Sequence, residues 1–202
     1  MKIILVRHGE TDENVAHRYL GHTDAKLNEN GREQLRFFTK KLKEIEPQTI
    51  TSIYSSDLSR ALESAHIIGE AFQLIPISEF SLRELNFGDW ECKTYDDLFS
   101  QENERLQEWI QDPLCVAPPN GETLTQLGKR IDDWVEQRIS NKVPNETIMM
   151  VSHGGPIRWF LSKWVKGDLN DFWQVDGAKH GNGLIVEFNE QTELFTLIST
   201  IN

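Results

Sequence analysis

The sequence predicts an α/β protein built as a three-layer sandwich, with a mostly parallel central sheet flanked by helices. Two continuous apolar runs, residues 3–6 and 147–151, are typical of strands that are buried on both faces, as in parallel sheets. Between the strand candidates lie stretches whose apolar residues recur at helical spacing. Strands that alternate with helices along a chain indicate a layered α/β domain.

The weaker strand candidates extend this sheet. Residues 50–54 and 74–77 are short apolar stretches in the first half of the chain. Near the C-terminus, residues 184–188 and 194–199 flank the polar stretch 189–192, which predicts a hairpin. The sheet is therefore expected to be mostly parallel rather than wholly so.

Four helices are predicted between and after these strands. Apolar residues recur at helical spacing over residues 35–45, 58–72 and 124–139, and the pattern is clearest in the last of these ranges. Thr123 and Gln126 supply a capping box at the start of the third of these helices. Residues 154–165 indicate a fourth helix directly after a predicted strand.

Residues 84–122 depart from this alternation. Between residues 84 and 104 there are seven acidic residues and one lysine, so this stretch carries about half of the surplus negative charge of the chain. The turn sequence PPNG at 118–121 then leads back to the helical pattern. We expect residues 1–202 to form one domain, in which 84–122 is a lid-like insertion over one end of the sheet.

Composition excludes several classes of protein. The net charge of −11 comes from 21 Lys and Arg against 32 Asp and Glu, and it opposes binding to nucleic acid or to an anionic membrane. Two cysteines, Cys92 and Cys115, are too few and too far apart for a disulfide scaffold or a paired-cysteine zinc site. The first apolar run is too short for a signal peptide and no stretch approaches a membrane span, so we expect a cytoplasmic protein.

Two histidines follow the two clearest strands. His8 comes directly after the first strand, between Arg7 and Gly9, and His153 follows the 147–151 strand. Ligands of open α/β sheets bind at the carboxyl ends of strands, and a glycine there lets the backbone approach a ligand closely. We interpret the two histidines as parts of one site; the alternative is a pair of loop histidines with no joint role.

Arg60 is a candidate anion ligand. It lies in the first turn of the predicted helix 58–72, where the positive end of the helix dipole disfavours a cation. A bound anion would compensate, because helix N-termini and arginine side chains both bind phosphate. An exposed ion pair with Asp57 or Glu63 is an equally good explanation from this pattern alone.

The chain resembles the histidine phosphatase superfamily, the phosphoglycerate mutase-like proteins, in segments that run over nearly its whole length. In chain order they are RHGET at 7–11 with Asn14 and GHT at 21–23, SSDLSRA at 55–61, LRE at 82–84 with FGDWE at 87–91, and VSHGG at 151–155. One such motif is weak, whereas four in order are specific. Ser64 departs from the family pattern, which more often has Thr there, but it keeps a hydroxyl group.

The resemblance implies a role for each matching residue. His8 would be the nucleophile that becomes phosphorylated, and Glu84 would donate a proton to the leaving group. Arg7, Arg60 and His153 would hold the phosphoryl oxygens. Further contacts with the phosphate or the substrate are implied for Asn14, Gly21, His22, Thr23 and Gly154.

The residues themselves are suited to phosphoryl transfer, which depends on positioning and on neutralising the charge of the phosphoryl oxygens. No metal-ligand spacing is present, and we expect no metal and no cofactor, so Arg7, Arg60 and a cationic His153 would supply the positive charge. His8 must attack as a neutral imidazole, with its other nitrogen bound to a fixed acceptor. Glu84 must first be protonated and can then activate water.

We therefore predict a metal-independent phosphomonoester hydrolase whose partner is a small phosphomonoester; a homodimer is left open. FGDWE at 87–91, Trp109 with Asp112, and PNGE at 119–122 resemble α-ribazole phosphatases, which act on a nucleotide precursor of the lower ligand of cobalamin. The alternatives, in order, are a broad-specificity phosphatase of the family, a phosphoglycerate mutase, and a non-catalytic phosphate-binding module. The acidic stretch 84–104 argues against a mutase, because it would repel a bisphosphate.

Other histidines and tryptophans have weaker cases. His66 lies on the second predicted helix and is expected to be packed or partly exposed rather than catalytic. Three further histidines are candidates for contact with the substrate: His17, His22 and His180. Trp90 and Trp109 either stack on an aromatic substrate or pack the insertion against the core, and packing is the favoured interpretation.

Overall fold

The computed structural model describes residues 1–45, 50–170 and 172–202. Over these residues one sheet is formed by strands β1 to β6, which are Lys2–Arg7, Ser52–Ser56, Ile77–Glu79, Thr147–Ser152, Gly183–Asn189 and Leu194–Ile201. Their order across the sheet is β3-β2-β4-β1-β5-β6. Neighbours among β1 to β4 run parallel, whereas β5 is antiparallel to both β1 and β6. The predicted α/β fold with a mostly parallel sheet is confirmed.

Helices occupy both faces of the sheet. The α-helices α1 to α7 are Asp12–Val15, Glu29–Ile45, Ser59–Phe72, Tyr95–Gln101, Asn103–Gln111, Leu124–Ser140 and Gly154–Phe160. The capping box predicted for α6 is present, with Thr123 Oγ accepting from the Gln126 N–H at 3.1 Å and Gln126 Oε1 accepting from the Thr123 N–H at 2.8 Å. None of the described helices is long and apolar enough to cross a membrane.

The alternation of side chains along β1 produces the three layers. Ile3 and Leu5 are buried in one apolar cluster, together with residues of α6 and α7. Ile4 and Val6 are buried in a second cluster, together with residues of α2 and α3. A strand that is apolar on both faces therefore lies between two layers of helices, as its continuous apolar run predicts.

Two predicted elements have different bounds in the structure. The strand predicted at 74–77 begins only at Ile77. The residue that caps the end of α3, Gln73, has a left-handed conformation with φ of 58°, and Ile75 is 87% exposed. The helix predicted over 154–165 is α-helical to Phe160 and continues as a wider π-helical turn, Leu161–Lys166. Local apolar content does not encode either boundary.

The segment 84–122 contributes no strand and contains α4 and α5. Its main apolar side chains are buried in the same cluster as those of α6 and α7, and they are Leu85, Trp90, Leu98, Leu106 and Trp109. Trp90 is fully buried, and its Nε1 donates to Glu102 Oε2 at 2.9 Å. Packing therefore explains Trp90, while the action of this segment as a lid stays a prediction.

Candidate active site

Three neighbouring strands bring the site together at their carboxyl ends. His8 follows β1, His153 follows β4, and Arg60 lies at the start of α3, just after β2. Because β4 lies between β2 and β1, these three residues converge although they are far apart in sequence. The ring centroids of His8 and His153 are 5.0 Å apart.

His8 is held in one tautomer. It is buried, and its Nδ1 donates to the carbonyl oxygen of Gly9 at 2.7 Å, so its Nε2 carries the free lone pair. The Gly9 N–H is bound in turn by Ser64 Oγ at 3.1 Å, and the Ser64 hydroxyl donates to the Arg60 carbonyl at 2.6 Å. The hydroxyl that the sequence retains at position 64 therefore links the backbone beside His8 to the helix that carries Arg60.

Burial keeps the His8 imidazole neutral. It lowers the pKa of His8 well below the usual range, and the positive charge of Arg60 lowers it further. A neutral imidazole with one nitrogen bound and the other free is the form in which histidine acts as a nucleophile.

Arg60 is completely buried without an acidic partner among the described residues. Its guanidinium donates to backbone carbonyls instead, to Gly21 at 2.6 Å, Thr23 at 3.0 Å and Leu20 at 3.3 Å. Burial is also the main cause of a lowered pKa for Arg60. The carboxylates of Glu84 and Glu91 act on Arg60 from beyond ion-pair distance and only partly offset its burial, so this arrangement favours the binding of an anion.

Four buried nitrogens around His8 have no hydrogen-bond partner. They are Arg7 Nε, Arg60 Nε, His153 Nδ1 and His180 Nε2. Buried polar atoms are rarely left unpaired, and several on neighbouring side chains of one site indicate a ligand with many acceptor oxygens. A phosphoryl group fits this description, because it offers negative charge and three equatorial oxygens.

His153 differs from its predicted charge state. Its Nε2 shares a hydrogen bond with Ser56 Oγ at 2.9 Å. Burial, followed by the charge of Arg60, lowers the pKa of His153 well below its usual range. The prediction of a cationic His153 is therefore wrong for the unliganded protein, because burial and the positive charge of Arg60 both disfavour the protonated imidazole.

Glu84 lies in the loop that follows β3, and its side chain contacts the start of α7. Its carboxylate accepts from the Leu85 N–H at 2.9 Å and from the Gly155 N–H, which is 3.1 Å from both oxygens. The Glu84 carbonyl is bound by Arg130 Nη2 at 2.8 Å and by His22 Nε2 at 3.1 Å. The carboxyl group is thus fixed at the wall of the cavity that also contains Arg7.

The turn at residues 21–23 positions Arg60. Its backbone N–H groups all donate to the carboxylate of Glu91, at 2.8 to 3.1 Å, while the carbonyls of Gly21 and Thr23 bind Arg60. The resemblance implies that Gly21, His22 and Thr23 contact the phosphate or the substrate. In the structure their backbone groups are used by Glu91 and Arg60.

Two other predicted residues have local roles. The Asn14 side chain forms a capping box with Thr11 at the start of α1, with Asn14 Oδ1 accepting from the Thr11 N–H at 3.1 Å. At Gly154 an added Cβ would lie 3.3 Å from Cζ of Arg7, so glycine leaves room for that guanidinium. Contact of Asn14 or Gly154 with a substrate stays a prediction.

A cavity of about 290 Å³ opens beside Arg7 and Glu84. Five of its lining residues are aromatic, and they are Tyr19, Phe87, Trp109, Phe172 and Trp173. The third charged residue in the wall is Arg158 of α7, whose Nε donates to the Val175 carbonyl at 3.1 Å. Trp109 therefore both packs against the core and faces the cavity.

Sequence reasoning gave too little weight to three residues. His180 and Arg158 have no flanking motif of their own, and Arg130 occupies an ordinary position on the α6 helix. The best local signal for His180 was the glycine that follows it. In the structure Gly181 has φ of 68°, a conformation that favours glycine. His66 is exposed and lies away from the site, as expected. His17, a candidate for contact with the substrate, is also exposed and does not line the cavity.

Comparisons with known proteins agree with this geometry. The histidine phosphatase superfamily (branch 1) matches residues 3–200. Phosphoserine phosphatase 1 of Hydrogenobacter thermophilus is 29% identical over 191 residues, which cover 95% of this chain and 88% of that protein. Phosphoglycerate mutase-like protein 4 of Arabidopsis thaliana is 36% identical over 159 residues, 78% of this chain and 68% of that protein.

Among solved structures, the α-ribazole phosphatase from Shigella flexneri superimposes with a TM-score of 0.88 at 26% identity, covering 100% of this chain and 96% of that chain. The family match contains every residue of the site described above. This chain therefore belongs to the histidine phosphatase superfamily, and it is a phosphatase.

Proposed function

We propose that the protein hydrolyses small phosphomonoesters through a phosphohistidine at His8, and that α-ribazole-5′-phosphate is its substrate. The observation that carries the proposal is the set of four unpartnered buried nitrogens around the neutral His8 imidazole. They provide donors for phosphoryl oxygens beside a nucleophile whose free nitrogen is fixed.

In the first step, His8 Nε2 attacks phosphorus and the ester P–O bond breaks. Glu84 gives its proton to the departing alcohol, since it lies in the wall of the cavity beside Arg7. Arg7, Arg60 and His153 hold the phosphoryl oxygens during the transfer. The negative charge of the phosphate then supplies a counter-charge for Arg60 and favours protonation of His153.

In the second step, the Glu84 carboxylate takes a proton from water as the water oxygen attacks phosphorus. The P–N bond to His8 breaks, and inorganic phosphate leaves with its charge on the oxygens. Two easier steps thereby replace one difficult displacement.

The cavity supports a substrate with an aromatic body. Five aromatic side chains line about 290 Å³ beside the phosphate site. Aromatic rings stack on one another with a favourable geometry, and stacking on a base adds about 1–3 kcal/mol. The benzimidazole of α-ribazole is such a group, and an α-ribazole phosphatase is among the similar structures.

The charge argument against a mutase does not hold. Of the seven acidic residues in 84–104, only Glu84 lines the cavity. Glu91 is bound by backbone N–H groups, and Glu102 is bound by Trp90 and Lys93. The choice of hydrolase over mutase therefore depends on the phosphatases among the relatives, and it is tested directly below.

Release of inorganic phosphate from a matched pair of esters tests the proposal. We expect kcat/KM for α-ribazole-5′-phosphate to exceed that for ribose 5-phosphate by about 10-fold or more, the equivalent of one stacking contact. In the same assay, 3-phosphoglycerate with a trace of 2,3-bisphosphoglycerate should give free phosphate rather than 2-phosphoglycerate. Equal rates on the pair would reject the α-ribazole assignment, and rapid isomerisation would restore the mutase.

A second candidate is a broad-specificity phosphatase that also accepts acidic monoesters. Arg158 favours it, because this guanidinium lines the cavity and forms no ion pair with a described carboxylate. Burial is the main cause of a lowered pKa for Arg7, and the positive charge of Arg158 lowers it further. A planar guanidinium binds a carboxylate in a bidentate manner. One of the similar proteins is named as a phosphoserine phosphatase, and phosphoserine is a monoester that carries a carboxylate.

Substitution Arg158→Gln tests this second candidate. If Arg158 binds a carboxylate, kcat/KM for phosphoserine should fall about 10-fold or more, the equivalent of a charged hydrogen bond, while that for phosphoethanolamine should hardly change. The two esters differ only in the carboxylate. Equal effects on both would show that Arg158 acts on the phosphate or on packing instead.

A further inference from the structure

His180 lies in the loop between the π-helical turn and β5. Although His180 is distant in sequence from His8, backbone hydrogen bonds hold it beside His8. The next residue, Gly181, donates its N–H to the carbonyls of Arg7 at 3.1 Å and His8 at 3.0 Å. The positive φ of Gly181 permits this turn. An added Cβ on Gly181 would lie 2.5 Å from Cβ of Gln34, so the turn has no space for a larger residue.

The His180 ring lies beside the His8 ring. Its ring centroid is 5.3 Å from that of His8, with a tilt of 49° between the planes. Its Nε2 is buried and is one of the four nitrogens without a partner. A ring that only packed against His8 would not require a polar atom at this buried position.

We propose that His180 is a catalytic residue, whose Nε2–H donates to a non-bridging oxygen of the phosphoryl group at His8. This proposal rests on the proposed function. His180 would thereby add a donor to those of His153 and the two arginines, since the rings of His180 and His153 both lie beside that of His8.

The electrostatic setting agrees with a neutral donor. Burial, with the charge of Arg7, lowers the pKa of His180 to about 4, although Glu10 opposes this shift. At neutral pH the imidazole is therefore uncharged and carries one N–H. It contributes a hydrogen bond without adding a further positive charge beside Arg7 and Arg60.

The test compares His180→Ala and His180→Gln with wild-type protein, using inorganic phosphate as the probe and p-nitrophenyl phosphate as the substrate. We expect His180→Ala to weaken phosphate binding about 10-fold and to lower kcat about 100-fold, as for loss of one oxyanion donor. His180→Gln should recover part of both, because its amide can donate from a similar position. His66→Ala, an exposed histidine on α3, is the matched control.

The outcomes separate this proposal from the proposed function. Phosphate affinity is measured by ³¹P NMR or calorimetry, so it can be compared even if the wild-type protein hydrolyses none of the esters. Unchanged phosphate affinity and rate in both variants would overturn the role of His180. So would equal losses in the two variants accompanied by a lowered Tm, because packing alone would then explain them. Normal binding with an inactive wild-type protein would instead reject the proposed function.

Discussion

The substitution His8→Ala is expected to lower kcat/KM by at least about 10⁴-fold, as removal of a nucleophile does in other covalent enzymes. The reason is that His8 Nδ1 donates to a backbone carbonyl at 2.7 Å, and this bond fixes the other ring nitrogen with its lone pair free. No other described side chain has a free nitrogen held in this position. Brief incubation with ³²P-labelled substrate should leave a phosphate on wild-type His8 that is labile in acid and stable in base.

His66→Ala is the control, and it should keep both the activity and the label. Turnover should also persist in the presence of a chelator, since the proposed steps use no metal. A His8→Ala variant that turned over normally, or a label on another residue, would reject the covalent mechanism.

The second large effect is expected for Glu84→Gln. It should slow alkyl phosphates by about 10²–10⁴-fold but p-nitrophenyl phosphate by only about 10-fold or less, because a good leaving group departs without a proton. Glutamine keeps the size of the side chain and can still accept the Gly155 N–H, so the fold around α7 should be retained. The measurement is the ratio of kcat/KM values for the two classes of ester.

Glu10→Gln is a suitable control for this ratio. The Glu10 carboxylate is bound by Asn28 and Asn30 at 3.0 and 2.9 Å, and it does not line the cavity. If Glu84→Gln slowed both classes of ester equally, Glu84 would only position the substrate. Proton transfer would then have to come from another carboxyl group.

The central part of the site could be predicted because its signals are local. His8 and His153 each follow a continuous apolar strand, and the parallel order of β1 and β4 places their carboxyl ends side by side. The same reasoning located Arg60 at the start of α3. A short stretch of sequence was enough in each case, since strand ends define where ligands bind.

The rest of the site depends on contacts that no local pattern records. His180 lies in a loop without periodicity, and its place beside His8 follows from the two hydrogen bonds of Gly181. Glu91 was recognised as part of the FGDWE motif but without a role of its own, yet its carboxylate orders the turn that binds Arg60. The charge state of His153 also escaped prediction, because it is set by burial at the meeting point of several elements.

The neutral histidines of the site connect its chemistry to the response of the whole protein to acid. His8, His153 and His180 all have lowered pKa values in the fold, so below about pH 6.5 the unfolded chain binds protons that the native state refuses. The free energy of unfolding therefore decreases as the pH is lowered through this range, by about 1.4 kcal/mol per pH unit for each histidine that is charged only in the unfolded chain. A bound anion opposes this proton uptake by mass action. The protein is therefore expected to be acid-labile when unliganded, through the same groups that keep His8 ready to attack.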